Sequence, residues 1–173
     1  MLFRSATIPP VEILEAAYPV MFARWALRPD SAGPGRHRGG LGAIYEIELL
    51  EEQADVFLFG ERGKYAPAGV VGGGPAAKNR FVFKRDGDDR SPPMVSKMVG
   101  LSLKRGERVR LETPGGGGYG PALERPIQTV LRDVNLGYVG IEAARRDYGV
   151  AVAIDGTVDA RATDALRRQK AAE

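Results

Sequence analysis

The chain of 173 residues contains no cysteine and a single histidine, His37. Without cysteine the protein has no disulfide, no thiolate nucleophile, no thiolate zinc site and no dithiol redox motif. One histidine also excludes a metal cluster built on several histidines from this chain alone. A Ser-His-Asp triad would depend on His37, which lies between two arginines in a glycine-rich segment, and the sequence does not favour that arrangement.

Tracts of one charge sign and long apolar runs are missing as well. The 25 lysines and arginines are interleaved with 22 aspartates and glutamates along most of the chain, whereas nucleic-acid binders gather basic residues on one face or in one tract. No apolar run approaches the roughly 20 residues that span a bilayer, and the first residues lack the apolar core of a signal peptide. We therefore expect a soluble cytoplasmic protein that binds neither nucleic acid nor membrane.

Glycine, by contrast, is abundant and clustered, with 23 residues in the chain. Sixteen of them fall in the segments 33–42, 60–74 and 115–120, so the every-third-residue repeat of collagen is excluded. Hydrophobic residues make up 43% of the chain and the net charge is only +3, which favours a folded domain over a disordered one. The sequence thus predicts a globular protein with three glycine loops.

The hydrophobic pattern predicts an α+β fold: a predominantly antiparallel β domain, residues 1–125, with a small helical C-terminal section, residues 126–173, packed on it. Apolar residues at every second position indicate strands, and apolar residues three and four positions apart indicate helices. Residues 9–15 form either a short helical turn or an extended lead-in. The predicted strands are 20–27, 43–50, 56–59, 80–84, 99–103, 109–112 and 150–154, and the predicted helices are 127–136, 141–148 and 160–170.

Two neighbouring predicted strands, 99–103 and 109–112, have the spacing of a β-hairpin. They are joined through residues 104–107, which include a glycine. The alternation places four apolar side chains on one face, available to pair across the hairpin. These side chains are Leu101, Leu103, Val109 and Leu111.

The sharpest local feature is the segment 114–120, with the sequence PGGGGYG. Four consecutive glycines between a strand and a helix allow the backbone to approach a ligand or another chain closely. A phosphate-binding Walker loop would end in Gly-Lys followed by Ser or Thr, and Tyr119 and Gly120 follow here instead. The segment therefore fits a structural turn cluster and a ligand or subunit contact equally well.

The other two glycine loops differ in charge. Segment 33–42 contains Arg36, His37 and Arg38, and arginine suits paired hydrogen bonds to a carboxylate or phosphate. The alternative is an exposed hairpin end whose arginines pair with nearby carboxylates, which we favour for Arg38 and leave open for the other two. Segment 69–75 has no ionisable residue, so only its backbone is available to a ligand. The nearby carboxylates are Asp30, Glu46 and Glu48.

Adjacent carboxylates occur at 51–52 and 88–89. Neighbours on a strand point to opposite faces and neighbours in a loop are usually solvated, so neither pair is expected to act in general acid–base catalysis. The charged residues within 142–147 have the spacing of ion pairs on a helix surface.

Several runs of sequence, spread over nearly the whole chain, point to a family. They are PVEILE at 10–15, YPV at 18–20, LRPDS at 27–31 leading into 33–42, GGGP at 72–75, SK at 96–97, ETPGGGGYG at 112–120 and EAARRDYGV at 142–150. In this order and spacing they resemble the C-terminal part of the hydantoinase B subunit, a family related to 5-oxoprolinase and to the acetone and acetophenone carboxylases.

The resemblance implies ATP-dependent opening of a small cyclic amide, a hydantoin or 5-oxoproline, or ATP-dependent carboxylation of a ketone in the sister enzymes. It further implies a hydantoinase A-like partner that handles ATP and phosphorylates the substrate oxygen, and a divalent metal in the complete enzyme. A B subunit is several times longer than this chain, and its metal-binding His and Asp residues are expected in the N-terminal part that is missing here. We therefore expect a fragment or split subunit that is inactive alone, with a non-catalytic binding or assembly module as the alternative.

No catalytic residue and no metal ligand is assigned. The candidates for contact with substrate or with another subunit all lie in the glycine loops. They are Arg36, His37, Gly39, Gly40, Gly72, Gly73, Gly74, Gly115, Gly116, Gly117, Gly118 and Tyr119.

Overall fold

The computed structural model describes residues 9–172 and confirms the α+β class. Within this range the chain forms mainly antiparallel strands, followed by helices towards its end. The strands are β1 (Val20–Leu27), β2 (Ala43–Leu49), β3 (Gln53–Phe59), β4 (Arg80–Arg85), β5 (Asp88–Arg90), β6 (Lys97–Lys104) and β7 (Arg108–Glu112). The helices are α1 (Val11–Ala17), α2 (Ile127–Asn135), α3 (Ile141–Tyr148) and α4 (Ala160–Ala171), with a 3₁₀ turn at Ala122–Glu124.

The strands form two sheets that pack face to face. One antiparallel sheet has the order β1-β2-β7-β4-β5, and β3 pairs with β6 in a second, two-stranded sheet. Because side chains alternate along a strand, each sheet turns one apolar face towards the other. The buried side chains of this core are Leu49, Leu58, Phe81, Phe83, Leu101, Leu103 and Val109.

The prediction of a hairpin between β6 and β7 is wrong. β6 pairs with β3, whereas β7 lies between β2 and β4 in the larger sheet. The turn between them, in which the Glu107 N–H donates to the Lys104 carbonyl at 3.0 Å, leads the chain from one sheet to the other. Leu101 and Val109 therefore belong to the same core but lie on opposing sheets instead of pairing along one ladder.

The other face of the five-stranded sheet carries charged side chains at its centre. Glu46 of β2 is only 5% exposed, and its Oε1 atom lies 3.1 Å from Lys84 Nζ and 3.3 Å from Arg108 Nη1. Burial raises the pKa of Glu46, but the hydrogen bonds from Lys84 and Arg108 and the charge of Arg110 outweigh it, so the pKa is lowered overall. This carboxylate therefore stays ionised at neutral pH within the sheet.

The helical section has a second hydrophobic cluster of its own. Helices α2, α3 and α4 begin and end within one or two residues of the sequence-based prediction. Gly149 ends α3 with a left-handed φ of 62°, as glycine does at many helix ends. No helix between residues 9 and 172 is long and apolar enough to cross a membrane. The buried side chains of this cluster are Val130, Val139, Ala143, Ala144, Tyr148, Val150 and Val152.

The strand predicted at 150–154 is wrong. The segment forms a single isolated bridge between Val152 and Val158. The Ala151 N–H donates instead to the Thr163 hydroxyl at 3.0 Å, so part of the backbone hydrogen bonding that a sheet would supply comes from α4. The apolar run is buried as expected, but helices and not strands surround it.

Two short elements, α1 and β5, were left open or were missed by the sequence-based prediction. Of the alternatives for 9–15, the helical one is observed: α1 starts after Pro10, and the chain turns extended at Tyr18, before Pro19, because proline disfavours a helical residue in front of it. β5 falls where the sequence predicts only a turn, since three charged residues show no apolar alternation.

Candidate functional site

The three glycine loops, far apart in sequence, lie side by side in the structure. Each of 33–42, 69–75 and 115–120 is hydrogen-bonded through its backbone to the other two. We call this arrangement the glycine-loop cluster. The N–H to carbonyl pairs that link the loops include Gly33 to Gly116 at 2.8 Å, Gly116 to Gly40 at 2.9 Å, Gly74 to Pro34 at 2.7 Å, Gly118 to Gly74 at 3.0 Å and Val70 to Gly118 at 2.9 Å.

Close backbone approach explains why so many of these positions are glycine. A Cβ atom on Gly117 would overlap the Ala68 carbonyl, and one on Gly118 would overlap the Pro34 carbonyl. Packing of the loops against one another therefore accounts for glycine at the inner positions without a ligand. The same overlap with backbone atoms of a neighbouring loop occurs at Gly33, Gly35, Gly39 and Gly73, and Gly115 meets Ser31 in this way.

The outward positions of the cluster are different. Gly40, Gly72 and Gly116 are exposed. A Cβ atom on Gly40 would meet nothing within 4 Å, and one on Gly72 would find its nearest neighbour at 3.6 Å. Gly40 and Gly72 therefore leave open space beside the backbone that a substrate or another chain is able to enter, whereas a Cβ atom on Gly116 would lie 3.3 Å from the backbone nitrogen of Gly40.

Most backbone amides of segment 115–120 are not available for a phosphate cradle. A cradle needs several N–H groups pointing at one open space. The N–H groups of Gly116, Gly118, Tyr119 and Gly120 all donate to carbonyls of the other two loops. These four amides are therefore already bonded, in agreement with the missing Lys and Ser or Thr of a Walker loop.

A row of exposed side chains lies at the outer end of the cluster: Arg36, His37, Val70, Val71 and Tyr119. We call it the loop crest. Tyr119 is bridged through its backbone to His37 on one side and to Val70 on the other, and the rings of His37 and Tyr119 are 6.0 Å apart. Val71 is 67% exposed and Tyr119 is 50% exposed. The crest thus combines a cation, an imidazole, a phenol and aliphatic groups on one surface.

Arg36 is the cation of the loop crest. Its nearest acidic partner is Glu124, at 3.6 Å between Nη1 and Oε2, and both side chains are more than half exposed. Such a pair contributes about 1 kcal/mol or less. The guanidinium is therefore available to pair with an anionic group that reaches the crest.

Val71 holds a strained conformation at the crest. Its φ is 51°, that of Gly72 is 81°, and the Gly73 N–H donates to the Val70 carbonyl at 3.0 Å. Two successive positive φ values fit a type I′ turn, which prefers Asn-Gly. A β-branched residue in the left-handed region costs roughly 1–3 kcal/mol, and such strain is concentrated at functional sites in known proteins.

A buried carboxylate ties the cluster to the helical section. Asp133 of α2 accepts hydrogen bonds from Arg38 at 3.0 Å and from Arg125 at 2.8 Å. Arg38 also donates to the Gly39 carbonyl at 2.8 Å, and Arg125 donates to the Arg36 carbonyl at 3.1 Å. Both arginines therefore connect the Asp133 carboxylate to the backbone of the loop that carries Arg36 and His37.

The partner predicted for Arg38 is wrong. The sequence suggested Asp30 or the glutamates of β2 in an exposed hairpin end, whereas Arg38 is largely buried against Asp133. Asp30 instead accepts a hydrogen bond from the Gly140 N–H at 2.7 Å. Sequence reasoning also missed Asp133, although its spacing of three from the buried Val130 places it on the apolar side of α2, where an unpaired charge is too costly to occur.

Tyr148 lies in the second hydrophobic cluster close to this ion pair. Burial raises the pKa of Tyr148 to about 12, although the positive charges of Arg125 and Arg38 act in the opposite direction. The phenol is therefore neutral at physiological pH, so the counter-charge that the two arginines share comes from Asp133 and not from a phenolate.

The other acidic residues singled out in the sequence do not form a catalytic pair. Glu51 and Glu52 are exposed at a bend. Asp89 of β5 contacts Arg110 at 3.5 Å. Asp147 pairs with Arg146 at 2.8 Å on the surface of α3. These arrangements match the expectation of solvated or ion-paired carboxylates.

The described residues do not fit the divalent metal that the resemblance implies for a complete enzyme. Between residues 9 and 172, no group of three or more His, Asp or Glu side chains is placed to hold a metal ion. We therefore assign no step on this part of the chain to a metal.

Comparisons with known proteins identify a family for this chain. A family model described as hydantoinase B/oxoprolinase matches residues 2–122. The chain is 40% identical over 164 residues to caprolactamase subunit beta of Pseudomonas jessenii, covering 91% of this chain and 27% of that subunit. It is 33% identical over 117 residues to 5-oxoprolinase of Dictyostelium discoideum, covering 67% of this chain and 9% of that protein.

Solved structures show the same architecture. The crystal structure of ATP-dependent caprolactamase from Pseudomonas jessenii superposes with a TM-score of 0.77 at 35% identity, covering 92% of this chain and 28% of that one. Nucleotide-free acetone carboxylase gives a TM-score of 0.77 at 24% identity, covering 96% of this chain and 26% of that one, a likeness that shows the fold alone. This chain spans little more than a quarter of the length of caprolactamase subunit beta.

Proposed function

This chain belongs to the hydantoinase B/oxoprolinase family, and we propose that it forms the C-terminal part of a B-type subunit in an ATP-dependent enzyme that hydrolyses a small cyclic amide. The observation that carries the proposal is the match over 91% of this chain to a caprolactamase subunit. 5-Oxoprolinase points to the same bond type, because caprolactam, 5-oxoproline and hydantoins all contain an amide within a ring.

The loop crest is the proposed contact surface for the substrate or for the rest of the enzyme. Arg36 is suited to an anionic group, since guanidinium forms paired hydrogen bonds to carboxylates and phosphates. His37 and Tyr119 add groups that donate and accept hydrogen bonds. The candidates Gly40 and Gly72 leave room beside them, whereas the inner candidates hold the cluster together. The inner candidates are Gly39, Gly73, Gly74, Gly115, Gly117 and Gly118.

The remaining chemistry is proposed to reside on other polypeptides. In this proposal a hydantoinase A-like subunit handles ATP, and the part of the B subunit outside this chain holds the divalent metal. In support, most amides of segment 115–120 are already bonded, and residues 9–172 offer no set of metal ligands. We therefore propose that the isolated chain is inactive. A cytoplasmic location is part of the proposal, since the reaction consumes ATP.

An activity assay tests this proposal. The purified chain, alone and mixed with an A-like subunit and the missing part of the B subunit, is incubated with ATP and hydantoin, 5-oxoproline or caprolactam, and ring-opened product and ADP are measured. We expect turnover only in the complete mixture. Turnover by the isolated chain would contradict its inactivity, and a complete mixture that opens none of these rings would contradict the reaction.

A non-catalytic assembly module is the second candidate. Val70 and Val71 are 57% and 67% exposed. This exposure favours an assembly module, because apolar side chains at a loop tip suit a protein contact better than a polar substrate. Variants of the loop crest distinguish a substrate contact from a subunit contact. Arg36→Ala in the complete mixture should raise KM if the crest meets substrate, whereas Val71→Ser should weaken assembly if it meets a subunit. The matched control is Arg168→Ala on α4. A ketone carboxylase would instead consume acetone and bicarbonate in the same mixture.

A further inference from the structure

The two-stranded sheet exposes large apolar side chains on the face that points away from the core. Phe57 and Phe59 of β3 are 60% and 75% exposed, and Val99 of β6 is 66% exposed. Their neighbours Leu58 and Leu101 point the other way and are buried in the first core. Large apolar side chains exposed together on one face mark an interaction site more often than scattered single ones do.

A cavity of about 810 Å³ opens beside this face. Phe59 is paired with Lys97, and the Gly60 N–H donates to the Ser96 carbonyl at 2.7 Å, so the strand pair leads directly into the cavity wall. The cavity therefore extends the exposed face and adds a concave pocket with exposed apolar groups. It is lined by residues 60–65, Lys78 and 93–97, which include Tyr65, Met94 and Val95.

The charge around the cavity is unbalanced. Four of its lining residues are cations, and Glu61 is its single acidic lining residue. In the part of the chain that the structure describes, none of the four takes part in an ion pair, in contrast to the paired charges of the five-stranded sheet. Lys64 contacts the Tyr65 ring at 5.4 Å. The cations are Arg62, Lys64, Lys78 and Lys97.

This charge decides between the possible occupants. A second copy of the chain would have to present the same patch across a twofold axis, which brings four cations against four cations. An acidic segment with a large apolar side chain complements both the cationic rim and the apolar floor. This step rests on the proposed function, in which the chain is part of a longer B-type subunit. The chain spans 27% of caprolactamase subunit beta, so most of such a subunit lies outside it. That remainder is the source of the acidic segment.

We propose that the outer face of the β3–β6 sheet, at Phe57, Phe59 and Val99, together with the cationic cavity beside it, docks an acidic and apolar segment of the remaining B-subunit polypeptide. The apolar side chains supply the buried area of the interface, and the cations select an acidic partner and speed its association.

Binding is measured by calorimetry, without ATP or substrate, between this chain and caprolactamase subunit beta of Pseudomonas jessenii from which the matching region has been deleted. Circular dichroism and a cooperative thermal transition first establish that the truncated subunit is folded. We expect the wild-type chain to bind, and raised salt to weaken the binding. The double variants Phe57→Ser with Phe59→Ser, and Lys64→Glu with Lys97→Glu, should each weaken binding at least about tenfold, as expected when aromatic anchors or complementary charges are lost.

Matched controls carry the same changes elsewhere on the surface. Ile154→Ser removes a fully exposed apolar side chain and Arg168→Glu reverses an exposed charge on α4. Both should bind as wild type, and circular dichroism shows whether every variant is folded. Absence of wild-type binding, or docking variants that bind as tightly as the controls, would overturn the proposal.

Two further outcomes separate this inference from the proposed function. A mixture that binds but opens no cyclic amide supports the docking and contradicts only the reaction. A complete mixture that opens the ring while the docking variants bind as wild type contradicts only the docking. Light scattering tests whether the chain forms a homodimer. A homodimer that the same variants dissociate would show that a second copy occupies this face and would overturn the proposal.

Discussion

Replacing Asp133 by asparagine tests how the glycine-loop cluster is held to the helical section. The substitution keeps the size of the side chain and removes its charge. The carboxylate is 8% exposed, and the side chains of Arg38 and Arg125 are 15% and 10% exposed. Two guanidinium groups would therefore be left without a counter-charge in a region that water hardly reaches.

The expected loss follows from this burial. Removing one partner of a buried ion pair costs about 3–5 kcal/mol, because the remaining charge is stranded. Arg38 and Arg125 each keep one hydrogen bond to a backbone carbonyl, and the asparagine oxygen still accepts a hydrogen bond. We therefore expect the lower end, about 3 kcal/mol, which corresponds to a fall in melting temperature of about 6–12 °C for a protein of this size.

Urea denaturation at pH 7 measures the effect, with Asp147→Asn as the control. That substitution breaks the Arg146–Asp147 pair, in which Arg146 is 69% exposed, and should cost about 1 kcal/mol or less. Adding Arg38→Met to Asp133→Asn should cost less than the sum of the single changes, because both act on one network. Equal losses for Asp133→Asn and Asp147→Asn would refute the reasoning.

Three further predictions concern stability. Gly117→Ala forces a Cβ atom onto the Ala68 carbonyl and should lower the free energy of unfolding by several kcal/mol. Gly40→Ala has open space around it and should change that free energy by less than about 1 kcal/mol. Equal urea midpoints for the two variants would contradict the close packing at Gly117. The lowered pKa of Glu46 means that its charge stabilises the fold above the unfolded pKa of about 4.3 and that this contribution is lost as pH falls through the folded pKa. Glu46→Gln should therefore be destabilised most near neutral pH and approach wild type in acid, and a pH-independent difference would argue against this. Val71→Asn creates the preferred Asn-Gly turn and should raise stability by about 1 kcal/mol, and a lower melting temperature would show that Val71 is not strained.

Most of the strands and helices were predictable because their signals are local, whereas the strand predicted at 150–154 was wrong and β5 was missed. Alternation in β2 and the spacing of three and four in α2 each arise from one element facing one core. The hairpin between β6 and β7 was wrong because Leu101 and Val109 do face the same core, and apolar alternation does not distinguish pairing within a sheet from packing between two sheets.

The candidate site was predictable only in part. Its glycine loops stand out in composition, but glycine has no side chain whose pattern would reveal which loops pack together. Arg38 was assigned to the wrong partner because Asp133 is 95 residues away, and ion pairs of that separation leave no local signal. The one available clue was a carboxylate on the apolar side of α2, because a buried charge is costly unless a group of opposite charge pairs with it.

One stretch of chain contributes to both the loop crest and the cationic cavity. Residues 60–79 form a loop whose ends are held together, with the Asn79 N–H donating to the Arg62 carbonyl at 3.1 Å and the Ala76 N–H to the Pro67 carbonyl at 2.9 Å. Its first part lines the cavity, and its middle supplies Val70 and Val71 to the crest. In the proposed docking, the bound polypeptide contacts the same loop that shapes the crest, so that the proposed assembly and the geometry of the crest depend on one segment.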